Sequence, residues 1–358
     1  MFEDILKQAQ GEGVETKDDV SGRVRISVVG VGGGGTNTVN RIKKMGIKSA
    51  KTIAINTDSL HLKMIEADKK ILIGKSITRG LGAGGHPEVG MKSAEVDKDK
   101  IIEGIGENEL IFLCTGLGGG TGTGAAPIVA QLAKQQGAIV VSVVTFPFKL
   151  ERVRIKKARW GLNELMKYSD TVIVIDNNRL VEYAPNLPIN KAFMLADQIT
   201  ARAIKGIADT IMFPSLLNID YADVKSVMAN GGLAMISIGE GSGPNKIEEV
   251  VKSTLSHPLL DVDYEGAKGA LIHLGGNVDL TLGDAITIGE KLTEQFDDMA
   301  QVKLGARLSP EYGNKVYATM ITTGVKSPQI FGMDETTSGT AGLTSNPQTE
   351  ELSELLFA

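Results

Sequence analysis

Apolar positions along this chain follow two rhythms. Short apolar runs bounded by glycine or charge read as strands, and longer stretches with an apolar residue every third or fourth position read as helices. The first run, "RISVV", enters the glycines at 30–35. A helix near 36–45 follows, and then a strand, "KTIAINT", that closes on Asp58. Further strands read at "KILIG", "LIFLCT", "AIVVSVVTF" and "TVIVID", separated by helical patterns such as "APIVAQLAKQQ" and "KARWGLNELMKY". Apolar strands alternating with helices predict a parallel sheet covered on both faces, a doubly wound α/β architecture whose ligands sit at the carboxyl ends of the strands.

A change of pattern comes at "NKAFMLADQITARAIKGIADTIM" (190–212). Here Phe193, Ala196, Ile199, Ala203, Ile204, Ile207 and Ile211 form one helical stripe, so a long core helix is expected. Beyond it, strands at "LAMISIGE", "GALIHLGG", "VKLGARLS" and "VYATMITTG", with helices at about 245–256 and 282–296, predict a smaller α+β domain. The expected organisation is a flexible N-terminal segment over 1–21 and a nucleotide-binding domain over 22–212 that includes the long helix. A C-terminal α+β domain over 213–328 and a disordered tail over 329–358, rich in Gly, Ser and Thr, complete it.

Composition narrows the class. The 358 residues are long enough for two domains. With 42% apolar residues, a mean hydropathy of +0.01 and no apolar run of roughly 18 residues, a soluble globular protein without membrane insertion is expected. The start, "MFEDILKQAQ", has neither the basic nor the apolar region of a signal peptide. The lone Cys114, set in an apolar strand, predicts a buried thiol in a reducing cytoplasm. The four scattered histidines lack metal-ligand spacing, so no protein metal site is expected, and any metal would be magnesium carried by phosphates. A net charge of −5 argues against nucleic-acid binding. One basic run, Lys149 to Arg159, reads either as a solvated helix face or as the source of an arginine that reaches a phosphate.

The chemistry concentrates in three glycine loops. Between Gly116 and Gly124 six of nine residues are glycine and two are threonine, placed between a strand and a helix. Free N–H groups and the dipole at a helix start favour an anion there, yet the P-loop lysine is missing, since the first lysine after the loop is Lys134, well inside the helix. The other two loops are "VVGVGGGGTN" and "RGLGAGGHPEVG" (79–90). Together the three can surround a polyphosphate with backbone donors that replace the lysine, whereas the bland reading makes them tight turns. Gly30-x-Gly32-x-x-Gly35 alone would suit a dinucleotide oxidoreductase, but the candidate ribose acid, Asp58, lies 28 residues past Gly30 rather than about 20.

"AINTD" (54–58), "GLGAGGHPEVG" (80–90), "GGGTGTGAAP" (118–127) and "NIDYADVKSVM" (218–228), in this order, resemble the tubulin/FtsZ family and within it the FtsZ branch of prokaryotic cell-division GTPases, over roughly residues 23–328. The resemblance implies that Gly33, Gly34, Gly35, Thr36 and Asn37 line the nucleotide, with Asn37 facing guanine. It implies that Gly120, Thr121 and Gly122 bind the β and γ phosphates, and that Thr57, Asp58, Ala83 and Gly84 lie near the γ phosphate. Phe193 would stack on the base and Asp197 would accept from guanine N1 and N2; the alternative for Asp197 is a solvated charge. Glu151 matches a ribose-contacting glutamate. Because "ERVR" lacks the family's usual glycine, Arg154 is assigned to the phosphate side with Arg152 as the alternative.

By the same resemblance Asn218, Asp220 and Asp223 are catalytic toward the nucleotide of the next subunit, with a helix N-cap as the alternative reading for the aspartates. The expected ligands are GTP and GDP with magnesium held through the phosphates. The expected partners are further copies of the chain, head to tail, and membrane-tethering or division adaptors reached through the C-terminal tail. The expected place is the cytoplasm, at the mid-cell division site. "FPSLLN", with Ser215 where the family commonly has glycine, and the altered "ERVR" keep a second possibility open, a nucleotide-gated structural or regulatory relative with little turnover.

Overall fold

A computed structural model describes residues 24–179, 186, 188–212, 217, 219–229, 231–256, 264 and 266–325. The expectations for the N-terminal segment and the tail lie outside these residues. In chain order the first half runs β1 (Ile26–Val31), α1 (Gly32–Lys44), β2 (Lys51–Asn56), α2 (Ser59–Met64), β3 (Lys69–Leu72), α3 (Lys75–Thr78), α4 (Pro87–Val96) and α5 (Lys98–Ile105). It continues with β4 (Leu110–Gly116), α6 (Thr121–Gln135), β5 (Ile139–Phe146), α7 (Arg152–Tyr168) and β6 (Thr171–Asp176). Then come α8 (Ile189–Met212), α9 (Tyr221–Met228), β7 (Gly232–Ser242), α10 (Lys246–Leu255), β8 (Gly269–Gly276), α11 (Leu282–Thr293), β9 (Gln301–Leu308) and β10 (Lys315–Thr323).

The strands form one sheet in the order β3-β2-β1-β4-β5-β6-β7-β10-β8-β9. From β3 to β7 every pair is parallel, as the alternating strand and helix pattern predicts. Strand β10 then runs antiparallel to both β7 and β8, which marks the change to α+β architecture. The two regions therefore share a continuous sheet, joined where Thr171, Val172 and Ile173 of β6 pair with Gly232, Leu233 and Ala234 of β7.

Period-two alternation sorts the strand residues onto two faces. Val28, Phe112, Cys114, Val141, Val143 and Ile173 point to the side covered by α1 and α8, whose Val39, Ile42, Ala203, Ile204 and Ile207 join the same cluster. Val29, Val31, Ile111, Leu113, Val140 and Val144 point to the opposite side, under Ile101 of α5, Val129 of α6 and Leu162 of α7. Ile219, Val224, Ile236, Leu271 and Ile321 pack into the same cluster as α8, so the long helix serves both regions as a shared core element. A third cluster, with Val250 of α10 and Ile288 of α11, closes the C-terminal part.

Two helix starts lie earlier in the chain than the pattern predicts. Helix α1 begins at Gly32 rather than near residue 36, and α6 begins at Thr121, so glycines read as loop form first helical turns. Glycine is a poor helix former, and here tertiary contact overrides that propensity. A Cβ on Gly124 would stand 1.8 Å from the Pro87 carbonyl oxygen, and one on Gly90 2.5 Å from that of Gly120, so α4 and α6 cross with their backbones in contact.

Candidate functional site: a glycine-walled cleft

Every parallel strand from β1 to β6 except β3 sends a residue at or beyond its carboxyl end into one cleft of about 540 Å³. Gly33 follows β1, Asn56 ends β2, Gly116 ends β4, Thr145 lies near the end of β5 and Asn177 follows β6. A volume of this size suits a small ligand, and the place is where a doubly wound sheet binds one.

Its walls are mostly backbone. Gly33 and Gly34 occupy the first turn of α1, and Gly120, Thr121 and Gly122 the start of α6, so two sets of unpaired helical N–H groups face the same space. The 79–85 loop closes a third side, with Gly82, Gly84 and Gly85 at positive φ. A Cβ on Gly33 would meet nothing within 4 Å, whereas one on Gly120 would stand 2.8 Å from the Ala83 Cβ and from the His86 nitrogen. The cleft is thus open at Gly33 and held shut behind Gly120.

Side chains complete it. The Thr57 and Thr121 hydroxyls lie 2.6 Å apart, both buried. The Asp58 carboxylate caps α2 by accepting from the backbone N–H groups of Leu60 and His61, each at 2.9 Å. Ala83 and Gly84 line the cleft from the 79–85 loop. Arg154 and Glu151 line it together and pair across 2.5 Å, while the second Glu151 oxygen accepts from the Phe148 N–H at 3.2 Å. Arg152 is exposed and does not line the cleft. From the basic run, Lys157 donates to the Gly85 carbonyl at 2.7 Å and ties the 79–85 loop to α7.

Gly35 and Thr36 lie beneath the cleft rather than in its wall. A Cβ on Gly35 would stand 2.0 Å from the Cys114 carbonyl oxygen, and the Thr36 hydroxyl donates to the Gly32 carbonyl at 2.7 Å. Asn37 is exposed, with its Oδ1 3.1 Å from His61 Nε2. Asp197, on α8, accepts from the Thr38 hydroxyl at 2.9 Å, and burial pushes its pKa up to about 6 against the opposing pull of Thr38 and Arg41. The side chain of Phe193 lies outside the described residues.

The predicted catalytic aspartates are elsewhere. Asp220 and Asp223 form a reciprocal capping box at the start of α9: Asp220 Oδ1 accepts from the Asp223 N–H at 2.7 Å, and Asp223 Oδ2 from the Asp220 N–H at 3.2 Å. Lys303 pairs with Asp223 at 2.7 Å and, with those hydrogen bonds, holds its pKa below the ordinary range. Asp220 remains exposed. The next residue, Tyr221, donates its hydroxyl to the Glu109 carbonyl, at the amino end of β4, whereas the cleft lies at the carboxyl end of that strand. Seven residues of strand separate the two places by about 20 Å. The cap and the catalytic readings of Asp220 are compatible, because a cap uses one oxygen. Asn218 and the altered segment at Ser215 lie outside the described residues.

His61 and Asn56 line the cleft without having been singled out in the sequence. The available signal was local: Asn56 begins the "NTD" triplet and His61 falls one helical turn past Asp58.

Comparison with known proteins agrees with this geometry. Residues 25–185 match the sequence model for the GTPase domain of the tubulin/FtsZ family, and residues 232–326 that for the C-terminal domain of the FtsZ family. The chain is 56% identical to cell division protein FtsZ 2 of Methanocaldococcus jannaschii over 88% of its length and 84% of the relative's. It is 51% identical to FtsZ 2 of Haloferax volcanii over 93% of its length and 83% of the relative's. A solved structure described as an empty FtsZ dimer from M. jannaschii superposes with a TM-score of 0.82 at 42% identity, covering 96% of this chain and 99% of that one. With both domain models matched in order and more than half of the aligned positions shared with archaeal relatives, the chain belongs to the FtsZ family of tubulin-like GTPases.

Proposed function

We propose that the chain binds GTP in the glycine-walled cleft and hydrolyses it only where two copies meet head to tail, Asp220 and Asp223 of one copy completing the cleft of the next. The filament built by repeating this contact forms the cell-division ring. One observation carries the reading: the Tyr221 to Glu109 hydrogen bond sets the aspartates at the end of the sheet opposite the cleft. A site split between opposite ends of one chain cannot close within that chain, and a contact joining unlike ends does not close on itself, so it propagates.

In this mechanism the phosphates lie against the N–H groups that open α1 and α6. These donors are fixed in advance by the helices, so they stabilise charge on the γ phosphate without reorganising. Arg154 adds a positive charge once nucleotide competes for its bond to Glu151, which is then released toward the ribose. Thr121 offers its hydroxyl at the same wall, and the buried Thr57 hydroxyl holds it from behind. Asp220 and Asp223 of the neighbour orient and polarise the attacking water. The donor set fits magnesium carried by the nucleotide: the cleft wall offers backbone donors and hydroxyls rather than a cluster of carboxylates. Asn56 and Asp58, which line the cleft, would help to hold such an ion, and it would supply charge neutralisation on the phosphates.

Asp197 gives the preference for guanine, since a carboxylate pairs with the adjacent N1 and N2 donors that adenine lacks. Division adaptors or membrane tethers are assigned to residues 329–358 and the mid-cell site to their action. Among the described residues no helix is long and apolar enough to cross a membrane.

Mixing two inactive variants tests the shared site. Gly33→Leu fills the cleft from a position where a side chain meets no protein atom, and Asp220→Ala removes the neighbour's carboxylate. Each alone should be inert, and a mixture should recover turnover because the Gly33→Leu copy supplies Asp220 to an intact cleft. A mixture as inert as its parts would count against the reading.

A further inference from the structure

A hydrogen-bonded row runs from β2 to α1 at one side of the cleft, which Asn56 and His61 line and beside which Asn37 is exposed, and the chemistry of its members sets its direction. Asn56 is buried at the end of β2, and its Oδ1 accepts from the backbone N–H groups of Thr57 at 2.8 Å and Asp58 at 3.3 Å. With the oxygen so engaged, the Asn56 amide turns its Nδ2 outward, and that atom lies 3.3 Å from His61 Nδ1. An amide nitrogen can only donate, so Nδ1 must offer its lone pair. The Thr36 hydroxyl, also 3.3 Å from Nδ1, has its single proton directed to the Gly32 carbonyl at 2.7 Å and does not compete as a donor. His61 is thereby set as the neutral tautomer with its proton on Nε2, which faces Asn37 Oδ1 at 3.1 Å. That bond engages the Asn37 oxygen and leaves its NH2 group directed away from His61.

We infer that His61 is a positioning residue for nucleotide recognition: held by Asn56, it orients the Asn37 amide so that its NH2 donors, rather than its oxygen, are presented to an acceptor atom of the bound nucleoside. The inference rests on the nucleotide reading of the cleft and deepens it. Asn37 is exposed at the first turns of α1, where an amide without a second partner would rotate freely. An amide held in one of its two orientations loses no affinity to the wrong one. His61 is itself held in place, because Asp58 caps the turn that carries it through the His61 N–H at 2.9 Å. Two residues of the "NTD" triplet, Asn56 and Asp58, therefore both act on His61, one on its ring and one on its backbone.

Three variants at this position separate the role from mere packing. His61→Leu keeps bulk and removes both ring nitrogens. His61→Ala removes both bulk and nitrogens. His61→Gln restores an acceptor toward Asn56 and a donor toward Asn37. Equilibrium binding of a fluorescent GDP analogue should weaken about five- to tenfold in His61→Leu and His61→Ala, as the loss of one oriented hydrogen bond implies, and recover in His61→Gln. Steady-state turnover should show a raised KM with kcat at saturation nearly unchanged, and melting temperatures should stay close to wild type. Affinity in His61→Leu equal to wild type would overturn the inference, as would a His61→Gln variant no better than His61→Ala. If the wild-type protein itself bound no guanine nucleotide, it is the reading of the cleft that would fail, which this series distinguishes.

Discussion

The Tyr221 hydroxyl donates to the Glu109 carbonyl across 3.0 Å, so the start of α9 is pinned to the amino end of β4. The carboxyl end of the same strand is Gly116, in the wall of the cleft. One strand thus sets the distance between the cleft and the aspartates, so the proposed catalytic pair cannot reach the cleft of its own copy.

Substitution can separate the N-cap role of Asp220 from its proposed catalytic role. As the N-cap of α9 it accepts from the Asp223 N–H, and Asp220→Ala should cost about 1 kcal/mol of stability. Asp220→Asn keeps a good cap but loses the charge. Both variants should bind GTP normally and lose turnover, while denaturation should show only Asp220→Ala weakened. Wild-type turnover in Asp220→Asn would mean that the carboxylate acts only as a cap.

Glycines at the cleft divide into those that admit the ligand and those that admit a neighbouring helix. Gly33→Leu should abolish nucleotide binding with little change in melting temperature, because open space surrounds its Cβ position. Gly124→Ala should cost roughly 1–3 kcal/mol or more, since its Cβ would collide with the Pro87 carbonyl where α4 and α6 cross. Denaturant titration and nucleotide binding on the two variants should give opposite patterns.

The proposed base-site role of Asp197 predicts that binding depends on pH. Burial raises its folded pKa to about 6, so its contribution to stability is full below the ordinary aspartate pKa of about 4 and is lost as pH rises through about 6. At neutral pH the empty protein holds an ionised carboxylate at a cost, which guanine N1 and N2 donors would offset. GTP affinity should therefore fall as pH drops through about 6. Asp197→Asn should be more heat-stable than wild type at pH 7.5 without nucleotide, yet bind GTP more weakly. Unchanged affinity across that pH range would remove Asp197 from the base site.

Asp209 of α8 ties the two halves of the sheet together. It is buried, and accepts from Ser49 beyond α1 at 2.6 Å, Lys205 of its own helix at 2.5 Å and Arg307 of β9 at 3.2 Å. Asp209→Ala removes the buried carboxylate to which Ser49, Lys205 and Arg307 all donate, and should cost roughly 2–4 kcal/mol, the lower end reflecting the partial exposure of the two cations. His273 nearby, its pKa pushed down to about 4 chiefly by burial, stays neutral and adds no charge there at neutral pH. Chemical denaturation measures the loss.

Much of this was legible in the chain because it is local. Strand runs such as "LIFLCT" and "AIVVSVVTF" carry their own burial pattern, and two of the three glycine loops fall at the ends of the neighbouring strands β1 and β4, whereas the 79–85 loop follows α3. What escaped was non-local or worked against propensity. Gly32 and Thr121 begin helices although glycine-rich sequence disfavours them, because backbone contacts such as that of Gly35 with Cys114 require the missing side chains. The junction of β6 with β7 rests on a three-residue register between segments some sixty positions apart, which no periodicity encodes. His61 reads as one of four scattered histidines until folding sets Asn37 and Asn56 on either side of its ring.

The most direct test of the shared site is GTP turnover per molecule across a range of protein concentrations, with light scattering recorded in the same samples. Turnover nearly absent at low concentration and rising above a threshold together with scattering is the predicted result. Turnover per molecule that stays constant with dilution would contradict it, because the site would then be complete in one chain.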